Sequence, residues 1–135
     1  MDTDCIFCKI VAGKMPSSKI YEDSHTIAVL DIFPACPGHT LVIPRDHHAD
    51  LFDTPAATLA HVARASKKVA HRLQEALGID SVNIINNSGA NAGQVVFHLH
   101  FHVVPRSGGD GLDFKLNRVK ADAKYLEEMS SRLKF

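Results

Sequence analysis

The stretch Gly93-Gln-Val-Val-Phe-His-Leu-His-Phe-His-Val-Val-Pro-Arg106 decides the fold, and at its centre stands His98-Leu-His-Phe-His102. From Val95 to Val104 every residue is β-branched, aromatic, leucine or histidine, so the local preference is extended. Side chains alternate along a strand. His98, His100 and His102 therefore share one face, and Leu99, Phe101 and Val103 share the other. Packing accounts for one histidine in such a place, but not for three at alternate positions with apolar residues between them. The histidine face is read as a chemical site.

Just upstream, Asn86-Asn-Ser-Gly-Ala-Asn-Ala-Gly-Gln94 combines glycine, small residues and asparagine. Glycines permit the turns that point successive backbone N–H groups at one spot, a nest suited to phosphate oxygens. Asn87 and Gln94 can add neutral donors there. A neutral imidazole attacks without first losing a proton, so a histidine facing this nest could form a phosphohistidine intermediate.

The rest of the chain supplies the frame. Asp4 is placed to cap a short helix running to about Ala12, with Gly13 as its C-terminal stop. Lys19–Glu22 and Thr26–Asp31 read as two strands of a hairpin, and His39–Ile43 as a third ended by Pro44. Thr54 as N-cap, with Pro55 at the first helical position, starts the one long helix. Its stripe Leu59, Val62, Ser66, Val69, Leu73 and Leu77 steps by three and four, and Gly78 stops it. Arg64, Lys67, Lys68, Arg72 and Glu75 form its solvated face. A basic recognition helix is disfavoured because no turn-and-helix partner precedes it. Asp80–Ile85 is a strand joined to the histidine strand as a wide hairpin. Ser107–Gly111 reads as flexible, and Lys124–Leu133, with Leu126, Met129 and Leu133 on one side, as a closing amphipathic helix. The expectation is one α+β domain over residues 1–135, an antiparallel sheet of about five strands with one long helix and short N- and C-terminal helices.

Lysine plus arginine equals aspartate plus glutamate, at 15 each, among 135 residues. That balance gives no support to DNA, RNA or an anionic membrane as partner. No run of about 18 apolar residues spans a membrane. The start Met1-Asp-Thr-Asp-Cys5 lacks the basic and apolar regions of a secretory signal, and the odd cysteine count fits reduced thiols in a cytoplasmic protein. His25, His61 and His71 read as ordinary surface or helix residues, and spacing suggests no partner for Cys36.

These motifs resemble the histidine triad (HIT) superfamily, on His98-Leu-His-Phe-His102-Val-Val together with Cys5-Ile-Phe-Cys-Lys-Ile10, Leu30-Asp-Ile32, Gly38-His-Thr-Leu-Val-Ile-Pro44 and Gly93-Gln94. Within it the chain looks most like the HINT-like branch of nucleoside phosphoramidases and dinucleoside polyphosphate hydrolases, especially its bacterial members. The resemblance implies that His100 attacks the α-phosphorus of a nucleoside monophosphoryl compound, giving a nucleotidyl-histidine that water resolves. It implies that His102 binds the phosphoryl oxygens and that His39 supports the nucleophile's position. Asn87, Gln94 and the backbone of Gly93 to Val95 would surround the phosphate. Asp31 would accept the ribose hydroxyls, with Phe7, Ile10, Val29 and Ile32 around a purine base. A homodimer joined through the long helix and an edge strand is also implied. Many eukaryotic members carry a serine at the position of Val95, whose hydroxyl contacts the leaving group.

Cys5-x-x-Cys8 has metal-ligand spacing but is half a site. The resemblance implies a structural Zn2+ completed by His47 and His98, with His48 the adjacent competitor; two partly buried helix cysteines are the bland alternative. Three rivals stand beside a phosphoramidase-like hydrolase. They are a dinucleoside polyphosphate hydrolase, a nucleotide-binding adaptor with little turnover, and a zinc metallohydrolase in which His98, His100 and His102 grip one metal.

Overall fold

Two central strands of this chain are apolar on both sides, and that demands cover on both faces of the sheet. A computed structural model, which describes residues 4–135, shows how it is provided. The elements run α1 (Ile6–Val11), β1 (Lys19–Glu22), β2 (Thr26–Leu30), β3 (Thr40–Pro44), α2 (Ala56–Leu77), β4 (Ser81–Ile85), β5 (Phe101–Arg106) and α3 (Ala123–Leu133). The expectation drawn from the first five residues falls partly on Met1 to Thr3, which lie outside the described residues. All strand pairs are antiparallel, in the order β1-β2-β3-β5-β4. This is the expected α+β architecture.

On one face, Val62, Ala65, Val69 and Leu73 of α2 close over Ala28, Val42, Leu99 and Val103. Full burial of each such valine or leucine is worth about 1.5–3 kcal/mol, so this seam dominates the packing. Ser66 is tolerated in it because its hydroxyl donates to the Val62 carbonyl at 2.8 Å. Gly78, left-handed at φ 67°, stops α2 as expected. On the other face Phe7 of α1 joins Ile27, Val29, Leu41 and Ile43. The histidines emerge beside this second, thinner layer.

Five local expectations are corrected. The cap of α1 is Cys5, whose sulfur accepts from the Cys8 N–H at 3.4 Å, and not Asp4. Pro55 takes the cap position of α2, because the Thr54 hydroxyl is turned back to donate to the Asp50 carbonyl at 2.6 Å. The histidine strand begins only at Phe101. The β3 register (Val42 opposite Phe101) would put Pro44 opposite Leu99, and proline has no N–H to extend the ladder. The stretch after Arg106 is a pinned turn, with Asp110 accepting from the Arg106 guanidinium at 2.7 and 3.1 Å and from Leu112 N–H at 3.0 Å. Finally, α3 covers little of its own chain: Tyr125, Leu126 and Leu133 are exposed, Met129 is half-buried, and no residue of it is fully buried.

Candidate active site

Alternation of the triad survives the loss of regular ladder. Leu99 and Val103 lie in the α2 layer, while the three histidine rings lie on the side of α1. They do different things there. The His98 ring, fully buried, points at the start of α1. Its Nδ1 lies 3.3 Å from Cys5 Sγ, 3.5 Å from Cys8 Sγ and 3.1 Å from His47 Nδ1, and Cys8 Sγ lies 3.3 Å from His47 Nδ1. Its Nε2–H donates to the Pro44 carbonyl at 2.8 Å, which leaves Nδ1 as the bare lone pair. Burial pushes the His98 pKa down to about 4, which keeps that ring neutral.

These four ligand atoms fall within 4.8 Å of one another. A tetrahedral zinc with bonds of about 2.3 Å to sulfur and 2.0 Å to nitrogen needs N···N edges of about 3.3 Å and S···N edges of about 3.5 Å. The observed separations match to about 0.2 Å, so the donor set fits a closed Cys2His2 metal centre. His48, the competing residue, stays out and gives its carbonyl to the Leu99 N–H at 2.7 Å.

His100 is also buried, with the edge of Phe7 packed against it at a centroid distance of 5.0 Å. Its Nδ1–H donates to the His98 carbonyl at 2.8 Å, so the lone pair sits on Nε2. Among the described residues no buried side-chain nitrogen or oxygen lacks a hydrogen-bond partner, so Nε2 opens to the cleft that His100 lines. Burial pushes the His100 pKa below its ordinary value and keeps the ring neutral.

His102, on β5 between Leu41 and Ile85 of the flanking strands, meets His39. The Ala35 N–H donates to His39 Nδ1 at 2.9 Å, so His39 carries its hydrogen on Nε2 and donates it to His102 Nδ1 at 2.9 Å. The remaining hydrogen of a neutral His102 is then on Nε2. Asp31 stands 3.5 Å from His39 Nε2 and favours that tautomer. Burial, with His100 and His39 close by, pushes the His102 pKa down to about 4. Asp31, His39 and His102 are also near enough to share a metal. The tautomer chain argues against it, because His39 would have to give up its only hydrogen. Nor do the three triad rings converge on one point, as the metallohydrolase rival requires.

The cleft measures about 500 Å³, within the range of small-molecule sites. Phe7, Ile10, Val29 and Ile32 form its apolar wall, and Asp31, Asn87, Gly93, Gln94, Val95, His100 and His102 complete the sequence-predicted set on its lining. His39 is not on the lining and touches His102 instead of His100. The side chain of Gln94 is corrected from a free donor to a loop staple. Its amide donates to the Ala49 and Val96 carbonyls at 2.7 and 3.1 Å and accepts from Gly89 N–H at 2.7 Å. Met15, Pro16, Leu30 and Phe33 also line the cleft, and sequence reasoning missed them. Periodicity could not find them, since they lie on connections or at a strand end.

The family model of the HIT domain matches residues 12–109. A crystal structure from Streptococcus mutans superposes with a TM-score of 0.95 at 42% identity, covering 99% of this chain and 85% of that one. A Zn-bound histidine triad family protein from Mycobacterium smegmatis superposes at 0.80 with 44% identity, over 96% and 89%. An Arabidopsis thaliana relative, adenylylsulfatase HINT3, is 40% identical over 112 residues, 83% of this chain and 57% of that protein.

Proposed function

Because the chain belongs to the HIT family, we propose that it is a nucleotide hydrolase or transferase, one HIT domain over residues 1–135, acting at the α-phosphate of purine nucleoside phosphoramidates or related nucleotidyl compounds. The observation that carries this reading is the fixed tautomer of His100. With Nδ1–H held by the His98 carbonyl, a neutral ring presents the Nε2 lone pair to a cleft of nucleotide size. In the first step an N–P bond forms at Nε2, and the bond from phosphorus to the leaving group breaks. The leaving group departs with that electron pair and takes up a proton from solvent. In the second step water attacks phosphorus and gives up a proton to solvent, the N–P bond breaks, and the imidazole recovers its lone pair. His102 Nε2–H donates to a phosphoryl oxygen in both steps, backed by His39 and Asp31. A covalent intermediate of this kind also suits the leaving group implied by the relative named an adenylylsulfatase.

The apolar wall takes the base and Asp31 the ribose. Val95, exposed at the rim and with no hydroxyl to offer a nitrogen leaving group, leaves the polyphosphate reading open as the alternative. Cys5, Cys8, His47 and His98 would hold a structural Zn2+ that ties α1 to the sheet, so the metal's contribution is cohesion. A homodimer is supported by β4, an edge strand with Ile84 exposed beside α2, and a cytoplasmic setting by the odd count of three cysteines.

The test is turnover of adenosine 5′-phosphoramidate. His100→Ala should lose several orders of magnitude with its zinc content unchanged, and His102→Ala should lose less. A His100→Ala protein that keeps wild-type turnover would refute the nucleophile.

A further inference from the structure

The backbone around His100 has left the ladder, and something else must hold it. β5 begins one residue later, at Phe101, so no sheet partner fixes the His100 carbonyl. That carbonyl instead accepts from Asn86 Nδ2–H at 3.1 Å. Asn86 follows β4 directly, and its own amide is oriented in turn. Ser88 Oγ accepts the Leu51 N–H at 2.9 Å, so its single hydrogen is free to donate to Asn86 Oδ1 at 2.7 Å. With Oδ1 occupied in this way, Nδ2 must face His100. The chain of bonds thus runs from the β3–α2 connection through Ser88 and Asn86 to the main chain of the reactive residue.

Asn86 does not line the cleft, whereas its neighbour Asn87 does. The adjacent asparagines therefore have separate tasks. We infer that Asn86, oriented by Ser88, is a positioning residue that sets where His100 Nε2 meets phosphorus, without touching the nucleotide. The inference rests on the reading of His100 as nucleophile. The physical reason is that the 98–100 peptides carry both anchors of the ring. The His98 carbonyl takes Nδ1–H, and the His100 carbonyl is the point Asn86 grips. A shift of this segment moves the attacking nitrogen, and misplacement by about 1 Å costs on the order of 100-fold in rate.

Adenosine 5′-phosphoramidate turnover and AMP binding, measured on zinc-loaded protein, test this. Asn86→Asp keeps the shape and removes the donor. It should lower kcat by about 10- to 100-fold while the AMP dissociation constant stays within about threefold. Ser88→Ala should lower kcat by a smaller factor, and Ser88→Thr, which returns the hydroxyl, should rescue it. Wild-type kcat in Asn86→Asp, or AMP affinity falling in step with kcat, would overturn the inference. If Asn86→Asp does not fold, the serine pair decides: equal impairment of Ser88→Ala and Ser88→Thr overturns it. His100→Ala separates the two levels. If that variant keeps its turnover, the nucleophile reading fails. If it is inactive while the Asn86 and Ser88 variants match wild type, only the positioning role fails.

Discussion

Removing the metal expected at Cys5, Cys8, His47 and His98 should strip α1 from the sheet. That helix has six residues, too short to hold its own shape in water, and only Phe7 and Cys8 of it are buried. The ligand separations of 3.1–3.5 Å already approximate the edges of a zinc tetrahedron, so binding requires little rearrangement. A zinc ion present at a thousandfold its dissociation constant stabilises the fold by about 4 kcal/mol. For a chain of this length that corresponds to roughly 12–20 °C in Tm. Protein purified without added metal should contain one zinc per chain by elemental analysis. A strong chelator should lower Tm by that interval, and zinc should restore it. Cys8→Ser should bind zinc far more weakly and melt near the chelated protein. Hydrogen exchange should locate the loss at α1 and the Phe7 wall of the cleft. A chelated protein with unchanged Tm, or a Cys8→Ser variant that retains stoichiometric zinc, would refute the reasoning.

Two further outcomes follow from other contacts. His102 is held near pKa 4, below its ordinary 6.5. Between those values the unfolded chain takes up a proton that the folded chain refuses, so stability contributed by this site falls as pH drops from about 6.5 to 4. Thermal melts of the zinc-loaded protein across that window should show the slope, and His102→Gln should flatten part of it. An identical slope in that variant would mean that His102 is not the group refusing the proton. Gly38 has φ +90°, and a Cβ there would stand 2.8 Å from Leu77 Cδ1 and 3.1 Å from Leu73 Cδ2. Leucine tips can yield, so the backbone is the firmer obstacle, and Gly38→Ala should cost about 1–3 kcal/mol in urea unfolding. A neutral result would show that the turn relaxes.

Where sequence periodicity mapped onto packing, it was legible. The α2 stripe, Gly78 as its stop, the two hairpins and the division of His98–Val103 between two faces all follow from side-chain alternation and helix spacing. The metal ligands were legible only in part. Cys5 and Cys8 have diagnostic spacing, whereas His47 and His98 are 39 and 90 residues from Cys8 and meet it only through the fold. What the sequence hid was the rerouting of hydrogen bonds around His100. Pro44 ends the β3 ladder, and Asn86 and the His48 carbonyl take over, but one asparagine in a polar loop looks much like another. Gln94 misled for the same reason: a side chain with donors to offer spends them on the nearest carbonyls. The exposed apolar side of α3 was recognisable as a pattern, but a pattern does not name the surface it covers.

The central claim is that His100 Nε2 bonds to phosphorus, and stereochemistry at that atom tests it most directly. A nucleoside phosphorothioate analogue, chiral at the α-phosphorus, should be hydrolysed in isotopic water and the product configuration assigned. Two in-line displacements, first by His100 and then by water, predict net retention. Inversion would mean one direct attack by water and would contradict the account.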